Sequence, residues 1–115
     1  MVIKSLSLIN FRNYKHFETN FNSGLNFIYG KNGQGKTNLI ESLYFSTHLK
    51  SFRTPKIDQL KQFQSESASI RIQVEKQSVI NNIGILLIQD KKKVSINNKI
   101  LGLSSDFIRN FFSIL

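Results

Sequence analysis

The chain contains no cysteine, and no apolar run in its 115 residues approaches the roughly 20 residues that cross a bilayer. Without cysteine, a disulfide-stapled secreted fold and a thiolate metal site are both excluded. The N-terminus lacks the charged-then-apolar layout of a signal peptide. The two histidines, His16 and His48, have no second ligand near either of them. The sequence therefore predicts a single cytoplasmic domain of modest size, with no membrane partner.

Acidic residues are scarce: seven Asp and Glu stand against sixteen Lys and Arg, for a net charge of +9. Such an excess favours polyanionic partners, with nucleic acid first among them. However, the abundant Lys, Asn and Ile all have codons rich in A and T, so genome composition alone can raise the lysine count. The basic residues are also dispersed, in loose groups at 50–61 and 91–93. Charge by itself therefore leaves DNA binding open.

Glycine is also rare, yet three of the six glycines fall within residues 30–37, Gly-Lys-Asn-Gly-Gln-Gly-Lys-Thr. This octapeptide fully matches the phosphate-binding pattern G-x-x-x-x-G-K-[ST]. Its glycines allow successive backbone amides to turn inward around a phosphate. A predicted strand at 24–29 runs into the loop and a predicted helix at 36–47 runs out of it. The sequence therefore predicts a P-loop, with ATP and Mg²⁺ as its cofactors.

Individual side chains of the loop have separate expected roles. Lys36 is the predicted catalytic residue, because its charge can reach the β- and γ-phosphates. The Thr37 hydroxyl is the predicted metal ligand, for Mg²⁺ bridging those phosphates. The predicted cofactor-binding residues of the loop are Gly30, Lys31, Asn32, Gly33, Gln34, Gly35, Lys36 and Thr37. The competing interpretation, a glycine-rich turn before an ordinary helix, requires neither Lys36 nor Thr37.

The predicted helix has an apolar stripe that should pack on a sheet. The stripe comprises Leu39, Ile40, Leu43 and Tyr44, whereas Asn38, Glu41 and Ser42 are expected off it. Strands at 2–9 and 15–21 precede the strand that feeds the loop. After the helix we expect an exposed excursion over 48–69, with a short helix at 56–63.

Three further strands are predicted at 69–76, 79–89 and 93–97. Tight polar turns at 77–78 and 90–92 join them, so neighbouring strands should be antiparallel. A turn at 97–99 and a short helix through residue 110, capped by Ser104 or Ser105, complete the predicted elements. The sequence thus predicts an α/β fold of the P-loop NTPase class.

A second catalytic element is missing from the sequence. Hydrolysis by such proteins needs an apolar strand that ends in a Mg²⁺-organising acid, the Walker B acid. The nearest match, residues 85–90, has Gln89 in the acid's place and is better explained by a hairpin. The last residues, 111–115, form an apolar run with no polar tail. We therefore expect the opening part of a longer protein, without appreciable hydrolysis by this chain alone.

Three segments together resemble the RecF family of bacterial recombination-repair ATPases: residues 9–14 (Ile-Asn-Phe-Arg-Asn-Tyr), the loop and helix start at 30–42, and residues 51–54 (Ser-Phe-Arg-Thr). The resemblance is strong over residues 1 to about 60 and extends in outline to 115. It implies that residues 1–115 are the N-terminal part of an ABC-type head similar to SMC heads, with a mixed and antiparallel sheet. The family's signature loop, like its Walker B acid, is absent here.

The resemblance also implies a function. Family members bind single-stranded and double-stranded DNA in recombinational repair, replication restart and the SOS response, as ATP-dependent homodimers with weak DNA-linked ATPase activity, alongside other recombination mediator proteins. By the same resemblance Arg12 and Asn13 are candidate phosphate contacts, and Arg53 is a candidate γ-phosphate sensor near the dimer interface. Two alternatives remain: a non-hydrolysing nucleotide-binding scaffold, and a small P-loop kinase or GTPase. The latter is disfavoured because two strands precede the one that feeds the loop.

Overall fold

The structure is a computed structural model that describes residues 2–21 and 33–102. Its elements, in chain order, are β1 (Val2–Phe11), β2 (Tyr14–Asn20), α1 (Gly33–His48), a single 3-10 turn (Ile57–Leu60), β3 (Ser67–Lys76), β4 (Val79–Ile88), β5 (Lys91–Ile96) and β6 (Lys99–Ile100). The strand predicted at 24–29 and the helix predicted to end at 110 lie outside the described residues. Among those residues, no helix combines the length and apolar character that a bilayer crossing requires.

The strands form one sheet in the order β2-β1-β3-β4-β5-β6, and every pairing in the described part of the chain is antiparallel. Buried residues recur at alternate positions along β1, β3 and β4, which places them on one face of the sheet. This buried set includes Leu6, Leu8, Ile70, Ile72, Ile83, Ile85 and Val94. Leu39 and Phe45 of α1 join the same core, so the helix covers this face of the sheet.

Two-residue turns connect the later strands. Gln77 and Ser78 both have positive φ, 54° and 66°, as the tightest hairpins require, and Asn97 and Asn98 repeat the pattern at 51° and 69°. The turn predicted at 77–78 is therefore confirmed. The turn predicted at 90–92 is displaced, because Ile88 pairs with Lys91 and the strand begins there.

The lysines at 91–93 consequently belong to β5 and not to the hairpin tip. Strand geometry sends alternate side chains to opposite faces, which separates Lys92 from its two neighbours. The Lys92 ammonium donates a hydrogen bond to the Leu49 carbonyl at 2.7 Å, just beyond the end of α1. One lysine of the run therefore helps to hold the end of the helix against the sheet.

The predicted helix stripe is wrong in part: Leu39 is buried and Leu43 packs against the core as predicted, but Ile40 does not. Ile40 is 45% exposed, whereas Asn38, Glu41 and Ser42 are 2%, 0% and 0% exposed. The buried face instead runs through Phe45 and through serines whose hydroxyls donate to carbonyls of the preceding turn. Ser42 donates to Leu39 at 2.7 Å and Ser46 donates to Ser42 at 2.8 Å. Because these polar groups find partners, burying them carries little penalty.

The segment after α1 is less exposed than predicted. Leu49 and Leu60 are buried, and the helix expected at 56–63 is only the single turn already described. Backbone hydrogen bonds tie this segment to the end of β1: Arg12 donates to Leu60 at 2.8 Å and Gln62 donates to Asn10 at 2.7 Å. The segment therefore lies beside the β1–β2 turn, where it bears on the candidate site.

Candidate nucleotide-binding site

Helix α1 begins at Gly33, inside the predicted phosphate-binding loop. Gly30, Lys31 and Asn32 lie outside the described residues, as does the Gln34 side chain. Within the described part, Lys36 is exposed, Thr37 is half-buried, and no acidic residue occupies the first turn of the helix. Free amide groups and the helix dipole favour an anion at this end. The residues present therefore fit a phosphate group.

The β1–β2 turn packs against the first turns of α1. Arg12 in this turn has a φ of 51°, a left-handed conformation that residues other than glycine adopt at a cost. The neighbouring Asn13 carboxamide oxygen accepts a hydrogen bond from Asn38 at 2.7 Å, and the Tyr14 hydroxyl donates to the Gly35 carbonyl at 2.9 Å. Burial raises the pKa of Tyr14, which keeps its hydroxyl protonated as a donor. The turn thus braces the loop end of the helix.

Glu41 is the buried centre of this contact. Its two carboxylate oxygens accept from Nε and Nη2 of Arg12, both at 2.9 Å, in a two-point ion pair. The same carboxylate accepts from the Ser51 hydroxyl at 2.6 Å and from Arg53 Nη1 at 3.3 Å. Three segments that are distant in sequence therefore meet at one carboxylate.

The pKa of Glu41 reflects a balance of opposing effects. Burial alone would raise the pKa, since it disfavours the charged form. Hydrogen bonds from Arg12 and Ser51, together with the charges of Arg12 and Arg53, outweigh burial and hold the pKa below its ordinary value. Glu41 is therefore ionised at neutral pH.

Arg53 is held by the helix and by its own loop. Its Nη1 donates to the Asn38 carboxamide oxygen at 2.6 Å as well as to Glu41. The Ser51 hydroxyl oxygen accepts from the backbone amides of Arg53 at 2.9 Å and Thr54 at 3.2 Å, which closes a tight local turn. Arg53 thus contacts the residue that directly follows Thr37.

The structure brings together several of the residues singled out from sequence. Arg12, Asn13 and Arg53 all contact the helix that carries Lys36 and Thr37, although their contact with a nucleotide stays a prediction. Sequence reasoning missed that Glu41 binds both arginines, because it placed Glu41 outside the helix face that packs on the sheet. A signal was present: Glu41 is the only acidic residue between Glu18 and Asp58, so it was the one nearby carboxylate for two arginines.

An antiparallel sheet covered by a helix, with the helix starting inside a predicted phosphate-binding loop, is typical of the N-terminal lobe of an ABC/SMC-type ATPase head. The sequence model of the RecF/RecN/SMC N terminal domain matches residues 2–108. The chain belongs to this family.

Curated proteins similar to the chain are named DNA replication and repair protein RecF. The protein from Clostridioides difficile (strain 630) is 44% identical over 97 residues, which cover 84% of this chain and 26% of that protein. The protein from Clostridium novyi (strain NT) is 39% identical over 112 residues, covering 96% of this chain and 31% of that protein. The chain thus spans about a quarter to a third of the length of these relatives.

Solved structures support the same fold. The structure of the recombination mediator protein RecF with ATP in the RecFOR pathway superposes with a TM-score of 0.83 at 30% identity, covering 90% of this chain and 28% of that chain. The SMC head domain from Thermotoga maritima superposes with a TM-score of 0.77 over 97% of this chain and 42% of that chain. At 21% identity, the second match bears on the fold alone. The predicted fold class is therefore confirmed.

Proposed function

We propose that residues 30–37 bind ATP with Mg²⁺, as part of a DNA repair ATPase of the RecF type. The observation that carries the proposal is the position of Lys36 and Thr37 in the first turn of α1, braced by Asn13 and Tyr14 of the β1–β2 turn. A braced helix start keeps its amide donors in a fixed direction before the anion arrives, which lowers the entropy cost of binding. The name of the ATP-bound structural relative supports the choice of nucleotide.

Each residue has a stated part in this proposal. Lys36, exposed at the start of the helix, neutralises charge on the β- and γ-phosphates. Thr37 presents its hydroxyl to Mg²⁺, which draws electron density from the phosphate oxygens when bound. Arg12 and Asn13 lie on the turn next to the loop and are the proposed additional phosphate contacts.

Family membership and net charge also support a proposal about the partners of the complete protein. We infer that the complete protein is cytoplasmic, forms a homodimer when it binds ATP, and acts on single-stranded and double-stranded DNA with other recombination mediator proteins. Recombinational repair, replication restart and the SOS response are the proposed settings. The net charge of +9 supports DNA as the partner, since phosphate contacts supply most sequence-independent affinity.

A titration of the purified chain with a fluorescent ATP analogue tests nucleotide binding. Lys36→Ala should weaken binding by about 2 to 4 kcal/mol, the range for removing one partner of a desolvated charge pair. Lys93→Ala is the matched control, because Lys93 is an exposed lysine on β5 and should leave affinity unchanged. Circular dichroism of all three proteins establishes that each is folded. Equal affinity in folded wild type and folded Lys36→Ala would contradict the proposal.

A further inference from the structure

A single buried carboxylate is shared by two guanidinium groups that come from opposite directions along the chain. Arg12 reaches Glu41 from the β1–β2 turn, and Arg53 reaches it from the loop after α1. Ser51 donates a fourth hydrogen bond to the carboxylate and also closes the turn that holds Arg53. The carboxylate therefore determines where both arginine side chains lie relative to the helix.

The cluster of Glu41, Arg12, Arg53 and Ser51 has a net positive charge. Two guanidinium groups against one carboxylate leave one net positive charge beside the N-terminal half of α1. Arg12 uses Nε and Nη2 in its ion pair, and Arg53 uses Nη1. The two arginine side chains remain 19% and 26% exposed, whereas the Glu41 side chain is fully buried. Both arginine side chains thus keep part of their surface in contact with solvent.

The cluster is also close to the predicted phosphate site. Glu41 lies four residues beyond Thr37, a rise of about 6 Å along an α-helix. Arg53 is nearer still, since its guanidinium group donates to Asn38, the residue next to Thr37. Arg53 therefore lies beside the first turns of the helix.

We propose that Glu41 is a positioning residue that holds Arg12 and Arg53 as a pair for the terminal phosphate of the nucleotide. The inference rests on the proposed nucleotide binding and adds a residue to it: Glu41 touches no phosphate, and acts only through the two arginines. Loss of its charge removes the ion pair that holds Arg12 to the helix and leaves Arg53 with only its hydrogen bond to Asn38 there. The recognition that distinguishes a nucleoside triphosphate from a diphosphate then falls, while binding of the diphosphate persists.

A purely structural role for the cluster explains its geometry less well than the positioning role does. A buried ion pair generally stabilises a fold no better than apolar side chains of similar size, so packing alone does not call for two arginines on one carboxylate. Positioning accounts for the shared carboxylate and for the unbalanced charge together.

The test compares ATP and ADP affinity, both with Mg²⁺, by calorimetric titration of the full chain. In Glu41→Gln, which keeps the side-chain size and removes the charge, the preference for ATP over ADP should fall about tenfold, and ADP affinity should change less than about twofold. Ser51→Ala removes one bond to the carboxylate and the two turn bonds that help to hold Arg53, but it leaves the carboxylate charged. The preference of this variant for ATP should therefore fall by less than that of Glu41→Gln, in the same direction. Glu18→Gln is the matched control, because Glu18 is an exposed carboxylate on β2, and it should behave as wild type.

A second arm asks whether Glu41 acts through Arg53. In an Arg53→Ala background, Glu41→Gln should lower the preference for ATP by clearly less than it does in wild type. Equal losses of ATP and ADP affinity in Glu41→Gln, or full additivity with Arg53→Ala, would overturn the inference. If Glu41→Gln does not fold, Ser51→Ala decides: an unchanged preference for ATP in that variant overturns the inference.

The outcomes separate the inference from the function on which it rests. A folded wild-type chain that binds neither nucleotide contradicts both. Suppose that the wild-type chain binds ATP and ADP with equal affinity and that Lys36→Ala binds neither. This result overturns the inference but supports nucleotide binding. A preference for ATP that is lost in Glu41→Gln and kept in Glu18→Gln supports both.

Discussion

Arg12 and Glu41 are 29 residues apart in the sequence and are joined by two hydrogen bonds of 2.9 Å, with the Glu41 carboxylate fully buried. This pair joins the β1–β2 hairpin to the middle of α1. The motif at residues 9–14 and the first turns of α1, separate in sequence, are therefore held together.

Removing the guanidinium group of this pair should destabilise the chain. We expect Arg12→Ala to lower the free energy of unfolding by about 2 kcal/mol, the range for hydrogen bonds to charged groups, since Arg53 and Ser51 still contact Glu41. Urea unfolding measures the change. Arg71→Ala, at an exposed arginine on β3, should stay within about 0.5 kcal/mol of wild type. Equal effects of the two substitutions would show that the ion pair contributes nothing measurable.

Acid should weaken the fold through Glu41. Its pKa is lower in the folded chain than in the unfolded chain, so protons favour the unfolded state. The stability from this group is fully present above the ordinary Glu pKa of about 4.3, and it is lost as pH falls through the lower folded-state value. Urea midpoints measured between pH 7 and pH 3 for wild type and Glu41→Gln should converge on acidification. A difference in urea midpoint between the two proteins that stays constant with pH would contradict this expectation.

Two substitutions on α1 test which of its faces is buried. Phe45 is 1% exposed and Ile40 is 45% exposed, although both are large apolar residues of the same helix. We expect Phe45→Ala to cost about 3 to 5 kcal/mol of unfolding free energy, the range for deleting a core aromatic side chain. Ile40→Ala should cost clearly less, since much of its surface already contacts solvent. Thermal or urea unfolding of the pair gives the comparison, and the reverse order would refute the helix orientation.

A polypeptide of these 115 residues should bind ATP without turning it over above background. The reason is the lack of a Walker B acid and a signature loop in the sequence, so charge on the transferring phosphoryl group is stabilised from one side only. Residues 85–90 do not supply the acid, because Gln89 and Asp90 form the turn between β4 and β5. Phosphate release is the measurement. Mg²⁺-dependent turnover that survives stringent purification and disappears in Lys36→Ala would overturn the prediction.

DNA binding by the complete protein should depend on both salt and ATP. Affinity should fall as salt rises, because phosphate contacts release counterions from DNA. ATP should strengthen binding if two heads close on nucleotide, and Arg53→Ala should reduce this ATP effect more than it reduces ATP affinity. Fluorescence anisotropy across a salt series, with and without ATP, gives both quantities. A DNA affinity that changes with neither ATP nor salt would favour the alternative of a non-hydrolysing scaffold.

Much of the sheet follows from local patterns in the sequence. The local residue pattern indicated strands at 2–9 and 15–21, and tight polar turns such as the one at 77–78 separated the later strands. The glycine spacing of residues 30–37 and the residues that follow indicated the P-loop and the start of a helix. Each of these signals is carried by neighbours in the chain, because strand alternation and turn geometry depend on only a few consecutive residues.

Tertiary contacts decided the rest. Helix periodicity favoured Ile40 for the buried face, yet the chain buries Glu41 because partners from two distant segments neutralise its charge and satisfy its oxygens. No local pattern contains those partners, which lie 29 and 12 residues away along the chain. The sequence by itself therefore determined the strands and the phosphate-binding motif. Only the tertiary structure decided which helix face meets the sheet and which carboxylate holds the two arginines, since burial of a charge depends on partners that folding brings together.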